Sequence, residues 1–395
     1  MLPAKSSDRT LLSIKPYWMG LTDRHLVVIS QAPLVHGSDG ASSYAPYVRE
    51  MDMWMEQVSS TTFYSPVSDE VNLSQPFQYQ TKISHLHAIA WNFTTIVEAM
   101  RTIVSLPSDI MNLNKVMRQA DHIHLRAPSS SMILAILVCW LFPNTPSSCK
   151  YAGNWDPAAS QPLSYQIIKY LLGLRWSRHI KVMAYGQWRN QSENIFPFFT
   201  ATYSAHDVAR LSIQEEKSYD RAVFVGTLGD NKRPALVINV VAQLAEHGQQ
   251  MKVDFYGDGP QRERLEALAA GLGVGHLCTF MGNRTLDDLA RAYQRAGFVF
   301  LLSQSEGWPK AVAEGMFWGA IPIATPVSCV PWMLGDGQRG ILVKPDATLV
   351  AAEILVAMTD HRRLVFMSRE GQRWSRNYTT ERFREAIGEL LQVDA

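Results

Sequence analysis

Residues 221–260 read RAVFVGTLGDNKRPALVINVVAQLAEHGQQMKVDFYGDGP. RAVFVG (221–226) is a short apolar run without polar alternation, the mark of a strand buried on both faces. Pro234 fits the first position of a helix, where a missing N–H costs nothing, and the helical spacing continues to His247. Val253–Tyr256 is the next strand, closed by the turn Gly257-Asp258-Gly259-Pro260. The alternation persists, with helices over 261–270, 286–296 and 309–318 and strands over 278–281, 298–302 and 321–324. Buried strands joined by helices predict a parallel sheet covered on both sides, a doubly wound α/β domain.

The first half follows the same grammar. HLVVIS (25–30) reads as a strand, followed by a loop with Gly37 and Gly40. A helix then carries Tyr44, Tyr47, Val48, Met51, Met55 and Val58 on one face. DHIHLR (121–126) and HIKVMA (179–184) are further strands, while the pattern turns polar over 200–218. A chain of 395 residues suits two domains. The expected division is 1–203, 204–372, and a closing amphipathic segment 373–395 whose helix returns toward the first domain.

Composition narrows the classes. With 37 basic against 36 acidic residues the formal charge is +1, which argues against a nucleic-acid partner. Cys139, Cys149, Cys278 and Cys329 are widely spaced, which fits reduced thiols without a disulfide framework or a thiolate metal site. Met1–Trp18 has no continuous apolar core of a secretory signal. MILAILVCWLF (132–142) would span about 16 Å as a helix, roughly half a bilayer core. These features predict a cytoplasmic protein, at most peripheral on the inner face of the membrane.

In open α/β sheets ligands bind beyond the carboxyl ends of the strands. Two loops there combine small residues with charge. Gly226-Thr227-Leu228-Gly229-Asp230-Asn231-Lys232-Arg233 offers close backbone approach and a mobile cation, suited to a diphosphate. Ser303–Gly315 carries Glu306 in a loop and Glu314 inside the following helix, spaced to grip two polyol groups. A plain βα turn, and an i,i+4 pair between Lys310 and Glu314, are the bland alternatives. His122 and His124 alternate on one strand face and read as packed core more readily than as ligands. The turn at Gly257 lacks the third glycine of a dinucleotide fingerprint, no P-loop occurs, and no Asp-x-Asp pair exists to hold a nucleotide-bound metal. From 157 to 192 there is no acidic residue, yet Lys169, Arg175, Arg178, Lys181 and Arg189 interleave with apolar side chains. That pattern fits anionic lipid headgroups, or else a buried helix with solvated ends.

SEGWPKAVAEGMFWG (305–319) resembles the E-x7-E region of retaining GT-B glycosyltransferases, particularly glycosyltransferase family 4. Phe224-Val225-Gly226 with Lys232, YGDGP (256–260), Phe280-Met281-Gly282 and GILVKP (340–345) resemble that family in order and spacing. The resemblance implies two Rossmann-like doubly wound domains facing a central cleft, the first binding acceptor and the second a nucleotide-sugar. It places Glu306 on donor-sugar hydroxyls, Glu314 on ribose, Lys232 on the diphosphate with the backbone of Gly307, Trp308, Pro309 and Lys310, and Met281-Gly282-Asn283 at the base. Gly226, Gly37 and Gly40 would let the backbone close on the donor. It further implies retention, hexosyl transfer from a UDP-sugar (a GDP-sugar second) to a saccharide or lipid-linked saccharide in cell-surface polysaccharide or glycolipid synthesis, and no metal or cofactor. Basic residues at 169–189 would meet anionic membrane. Thr227 stands where the family has arginine, leaving Arg233 as substitute, and Cys329-Val330-Pro331-Trp332 replaces a glycine pair and acidic residue. No residue matches the family's N-terminal histidine, leaving Lys150 or Asn154 for the reaction centre. Nucleotide-sugar 2-epimerases share the architecture, and a non-catalytic nucleotide-sugar-binding module is the third reading.

Overall fold

The computed structural model describes residues 23–37, 40–68, 76–79, 83–88, 95–212 and 217–392. Met1–Trp18, where the signal reading falls, lies outside them.

Among the described residues the first half has ten strands: β1 His25–Ile29, β2 Val35–Gly37, β3 Gly40–Tyr44, β4 Ser60–Ser65, β5 Pro76–Gln78, β6 Ser84–His87, β7 His122–Ala127, β8 Ser147–Tyr151, β9 Ile180–Tyr185 and β10 Ile195–Phe198. Seven of them form one parallel sheet in the order β10-β9-β8-β7-β1-β4-β6. The other three make a small antiparallel ribbon, β2-β3-β5. The expected glycine loop is therefore a hairpin in which Gly37 pairs with Gly40. The apolar run at 132 forms the helix Met132–Cys139.

The second half contributes β11 Ser218–Val225, β12 Lys252–Tyr256, β13 Cys278–Gly282, β14 Ala296–Leu301, β15 Ile321–Ala324 and β16 Ile341–Leu342. All are parallel, in the order β13-β12-β11-β14-β15-β16, so the order reverses between β11 and β14. Phe224, Phe255, Phe298 and Phe300 are fully buried between the flanking helices, which is why these strands show no polar alternation. The two sheets confirm the doubly wound reading of each half.

Two segments pass between the halves. The outward crossing runs through residues 199–204, and Ser204 with Asp207 then forms a capping box that starts the helix Ala205–Leu211. The return crossing leads into the helix Thr380–Leu391, where Phe383, Ile387 and Leu391 pack with Leu26, Val28, Tyr47 and Phe63 of the first half. The crossings touch: Thr380 N donates to Tyr203 O at 3.1 Å, and the Phe199 and Tyr378 rings lie 5.0 Å apart.

His122 and His124 are core residues, both bonded to the Ser148 hydroxyl on the neighbouring strand (2.8 and 2.9 Å), with Trp54 4.2 Å from the His124 ring. One hydroxyl proton cannot serve both rings, so at least one histidine donates to Ser148. Burial pushes the His122 pKa down to about 3 and that of His124 well below its usual value. Folded values below the unfolded value of 6.5 mean that the stability they confer is complete above that pH and is lost as pH falls toward 3. Urea unfolding over this window should show a loss of up to about 1.4 kcal/mol per pH unit for each histidine. His122→Asn with His124→Asn should flatten the slope, and an unchanged slope would assign the acid sensitivity elsewhere.

Candidate functional site

Three glycines close the carboxyl ends of three adjacent strands. Gly226 N donates to Tyr256 O and Gly257 N to Gly282 O, each at 2.9 Å. A Cβ on Gly257, whose φ is +117°, would sit 2.1 Å from Gly226 O, so only glycine fits this approach. The result is a low floor at the switch point between β11 and β14, where doubly wound sheets bind ligands.

Lys232 lies across that floor. Its side-chain carbons pass 3.5 Å from where a Gly226 Cβ would be, and its Nζ meets Glu306 Oε1 at 2.6 Å. Residues 230–232 form a single 3₁₀ turn, and Arg233 caps the helix Pro234–Glu246 in the left-handed region (φ 50°, ψ 49°). That turn is laced to the Glu306 loop: Gln304 N donates to Asn231 O at 2.8 Å, and Asn231 Nδ2 donates to Ser305 O at 3.0 Å. The two loops singled out in the sequence thus form one unit. Thr227 and Asn283 are exposed at its rim beside Met281 and Gly282. Arg233 lines a separate groove of about 700 Å³ between the helices Pro234–Glu246 and Arg262–Gly271, with Arg264 and Gln261. Asp230 and Gln304 of the two loops also line this groove, and Arg233 Nη1 donates to Leu302 O at 3.4 Å.

Pro309 caps the helix Lys310–Phe317. Trp308 is buried among Tyr185, Trp374 and Tyr378, so its ring anchors the loop and only its backbone faces a ligand position. Glu314 is buried too. It accepts from Thr202 Oγ1 at 2.7 Å and from Tyr293 OH at 3.3 Å. Burial raises its pKa and lowers that of Lys310, and the bland alternative, a Lys310–Glu314 salt bridge, is not formed among the described residues. The cavity beside Glu314 measures about 10 Å³ and is walled by Thr200, Thr202 and Tyr203. Thr202, on the outward crossing, is a participant that no motif or periodicity in the sequence marks.

The first half reaches this unit through the loop after β8. Asn154 Nδ2 donates to Ser305 Oγ at 3.4 Å, which puts Asn154 beside Glu306. Gly307 faces Ala152 so closely that a Cβ there would lie 2.4 Å from Ala152 O. Lys150 is a correction. It lies within β8, not in a loop, and is fully buried, donating to Glu50 Oε2 at 2.8 Å and to Phe199 O at 3.4 Å. Burial pulls its pKa down to about 7, while Glu50 favours the charged form. Glu50 also binds Arg126, so Lys150 belongs to a buried ionic cluster and does not reach the cleft. Gly37 and Gly40, paired in their hairpin, form no described contact with the Lys232–Glu306 unit.

Comparison with known proteins follows this geometry. Residues 208–374 match the family of glycosyl transferases group 1. The D-inositol 3-phosphate glycosyltransferase of Corynebacterium efficiens is 28% identical over 163 residues, 40% of this chain and 38% of that protein. Its counterpart from Corynebacterium jeikeium is 30% identical over 127 residues, 30% of each chain. The chain thus spans about a third of the length of these curated relatives. Sucrose-phosphate synthase from Thermosynechococcus elongatus superposes with a TM-score of 0.63 at 17% identity, covering 93% of this chain and 98% of that one. Anabaena Alr3699/HepE in complex with UDP-glucose gives 0.64 at 14% identity, covering 93% and 99%.

Gly307→Ala tests the approach of the two halves. The added methyl collides with Ala152 O, so small-angle scattering should report a larger radius of gyration than wild type, with each half still folded by circular dichroism. An unchanged scattering curve would show that the contact does not set the closed arrangement.

Proposed function

We propose, from the premise that the second half of this GT-B chain is a group 1 glycosyl transferase domain, that the protein transfers a hexose from a nucleotide-sugar to a saccharide or lipid-linked saccharide acceptor with retention at the anomeric carbon. The observation that carries this reading is the Lys232–Glu306 pair at 2.6 Å, held over the glycine floor at the sheet's switch point. A cation and a carboxylate one hydrogen bond apart match the two neighbouring groups of such a donor. Lys232 exchanges Glu306 for the diphosphate, and Glu306 turns to the sugar hydroxyls.

The chemistry asks little covalent work of the protein. The bond from the anomeric carbon to the diphosphate breaks, a bond to the acceptor oxygen forms on the same face, and the acceptor proton passes to a phosphate oxygen of the leaving group. Catalysis then rests on positioning and on charge stabilisation. Lys232 and the amides of Gly307, Trp308 and Lys310 meet the negative charge that grows on the diphosphate. No metal is assigned a role in this reading. Asn154, beside Ser305 and Glu306, is the group of the first half best placed to touch the sugar. Glu314 takes the ribose hydroxyls once Thr202 Oγ1 gives up its bond. UDP is the preferred nucleotide, in keeping with the UDP-glucose of the Anabaena structure.

Incubation with a panel of UDP- and GDP-sugars, scoring free nucleotide with and without saccharide and lipid-linked acceptors, tests the reading. Acceptor-dependent release supports it, and donor consumption without acceptor would point to epimerisation. Glu306→Gln should lower kcat at least tenfold, about 1.4 kcal/mol, with an unchanged melting temperature. Wild-type turnover in that variant would remove Glu306 from the reaction centre. For the ribose assignment, calorimetry with a nucleoside diphosphate and its 2′-deoxy analogue is decisive. Wild type should prefer the ribo form, and Glu314→Gln should lose that preference together with roughly ten- to a hundredfold in affinity.

A further inference from the structure

The helix Ile96–Met117 divides its apolar residues between a buried and an exposed side. Its inner side buries Thr102, Ser105 and Asp109, with Asp109 accepting from Tyr64 OH and Ser105 Oγ at 3.0 Å each. Its outer side leaves Val97, Val104 and Met111 exposed to 69%, 78% and 72%, with Met100, Ile103 and Ile110 beside them. A surface helix of a globular domain turns its apolar stripe inward. Here the C-terminal end does so, burying Leu113, Val116 and Met117, while Val97, Met100, Val104 and Met111, at helical spacing, form a ridge on the outer side.

The ridge has neighbours. The helix Met132–Cys139 packs beside it and leaves Leu137 and the following Leu141 exposed. Next to that, the helix Leu163–Gly173 exposes Leu163, Ile167 and Tyr170, and the turn Arg175–Ser177 exposes Trp176. So large an apolar sector marks an interaction site. Its charge says with what. Arg101, Lys115, Arg118, Arg175 and Arg178 are exposed on these elements and their ends. The acids there are Glu98, spent in the capping box with Thr95, and the buried Asp109. Lys169, expected from the sequence to face lipid, instead packs over the Tyr151 and Trp155 rings and donates to Asp156 O at 3.2 Å.

We propose that this three-helix face of the first domain lies on an anionic lipid bilayer, with the ridge at 97–111 entering the headgroup boundary and the arginines and Lys115 meeting the phosphates. Apolar side chains with a mostly basic rim, and Trp and Tyr at the edge, are the composition of in-plane membrane binding. No helix among the described residues is long and apolar enough to cross a membrane, which fits a surface that rests on one. The proposal deepens the lipid-linked arm of the acceptor reading above, yet its measurement does not use the transfer reaction.

The test is vesicle co-sedimentation at low salt, on phosphatidylcholine alone and on a phosphatidylcholine–phosphatidylglycerol mixture. Wild type should partition onto the anionic vesicles only. Val104→Asp with Met111→Asp should weaken that partitioning at least about tenfold, and Arg175→Glu with Arg178→Glu should weaken it in a salt-dependent way. All four positions are exposed, so melting temperature and nucleoside diphosphate binding should match wild type. Absence of wild-type binding to anionic vesicles, or equal sedimentation of the Asp variant, overturns the proposal. So does a wild-type dimer in analytical ultracentrifugation that the Asp substitutions dissociate, because the face would then pair with a second copy of the chain.

Discussion

Glu50 holds two cations at once, Arg126 on β7 and Lys150 on β8. Burial alone would raise its carboxyl pKa, yet the two cations reverse that and hold it well below the usual range. Around Lys150 stand the rings of Tyr185, Phe198 and Phe383, at 5.6, 5.7 and 4.8 Å, with Phe199 O on the outward crossing. The first helix, two central strands, the outward crossing and the last helix therefore converge on one ionic cluster. A buried charge left without its partner typically costs about 3–5 kcal/mol, so none of these elements is free to shift by itself. The loop after β8, which carries Ala152 and Asn154 to the other domain, begins two residues beyond Lys150.

The opposite wall is set by backbone, not by charge. Gly257 lets its strand end approach Gly226 more closely than any side chain allows, and Lys232 lies over the bare backbone of Gly226. A rigid floor under a long, flexible cation suits a site that must receive a large anionic group, because only the cation has to rearrange. Glu306 and Asn154 complete it from two domains. The geometry therefore exists only while those domains remain together.

Much of this was legible before any coordinates. The second-half strands announce themselves because burial on both faces demands unbroken apolar runs, and the E-x7-E spacing brought Glu306, Lys232 and Glu314 into view together. The first half hides its architecture behind compensated polarity. β8 reads Ser-Ser-Cys-Lys-Tyr, yet every residue is buried, Ser148 against two histidines and Lys150 against Glu50. Pairings between strands distant in sequence leave no periodic trace, so Lys150 passed for a cleft residue. Gly37 and Gly40 read as a loop because the strands they end are too short to show alternation. Thr202 was invisible for a similar reason, since one hydroxyl on a crossing carries no pattern. The helix Ile96–Met117 leaves no clear mark in the sequence because its apolar residues do not share one face: Val104 and Met111 lie outward, Leu113, Val116 and Met117 inward.

The chain leaves the first domain and comes back to it, and the two passages are stitched together by Thr380 N to Tyr203 O and by Phe199 against Tyr378. Two bodies joined by a single tether can twist, slide and swing. Joined by two tethers side by side, they retain one soft degree of freedom, a swing about the line through the tethers. Opening and closing of the cleft is thereby reduced to a single angular coordinate. A swing along that coordinate would part Asn154 from Ser305 and Gly307 from Ala152 and return each pair in the same register, much as a door meets its frame.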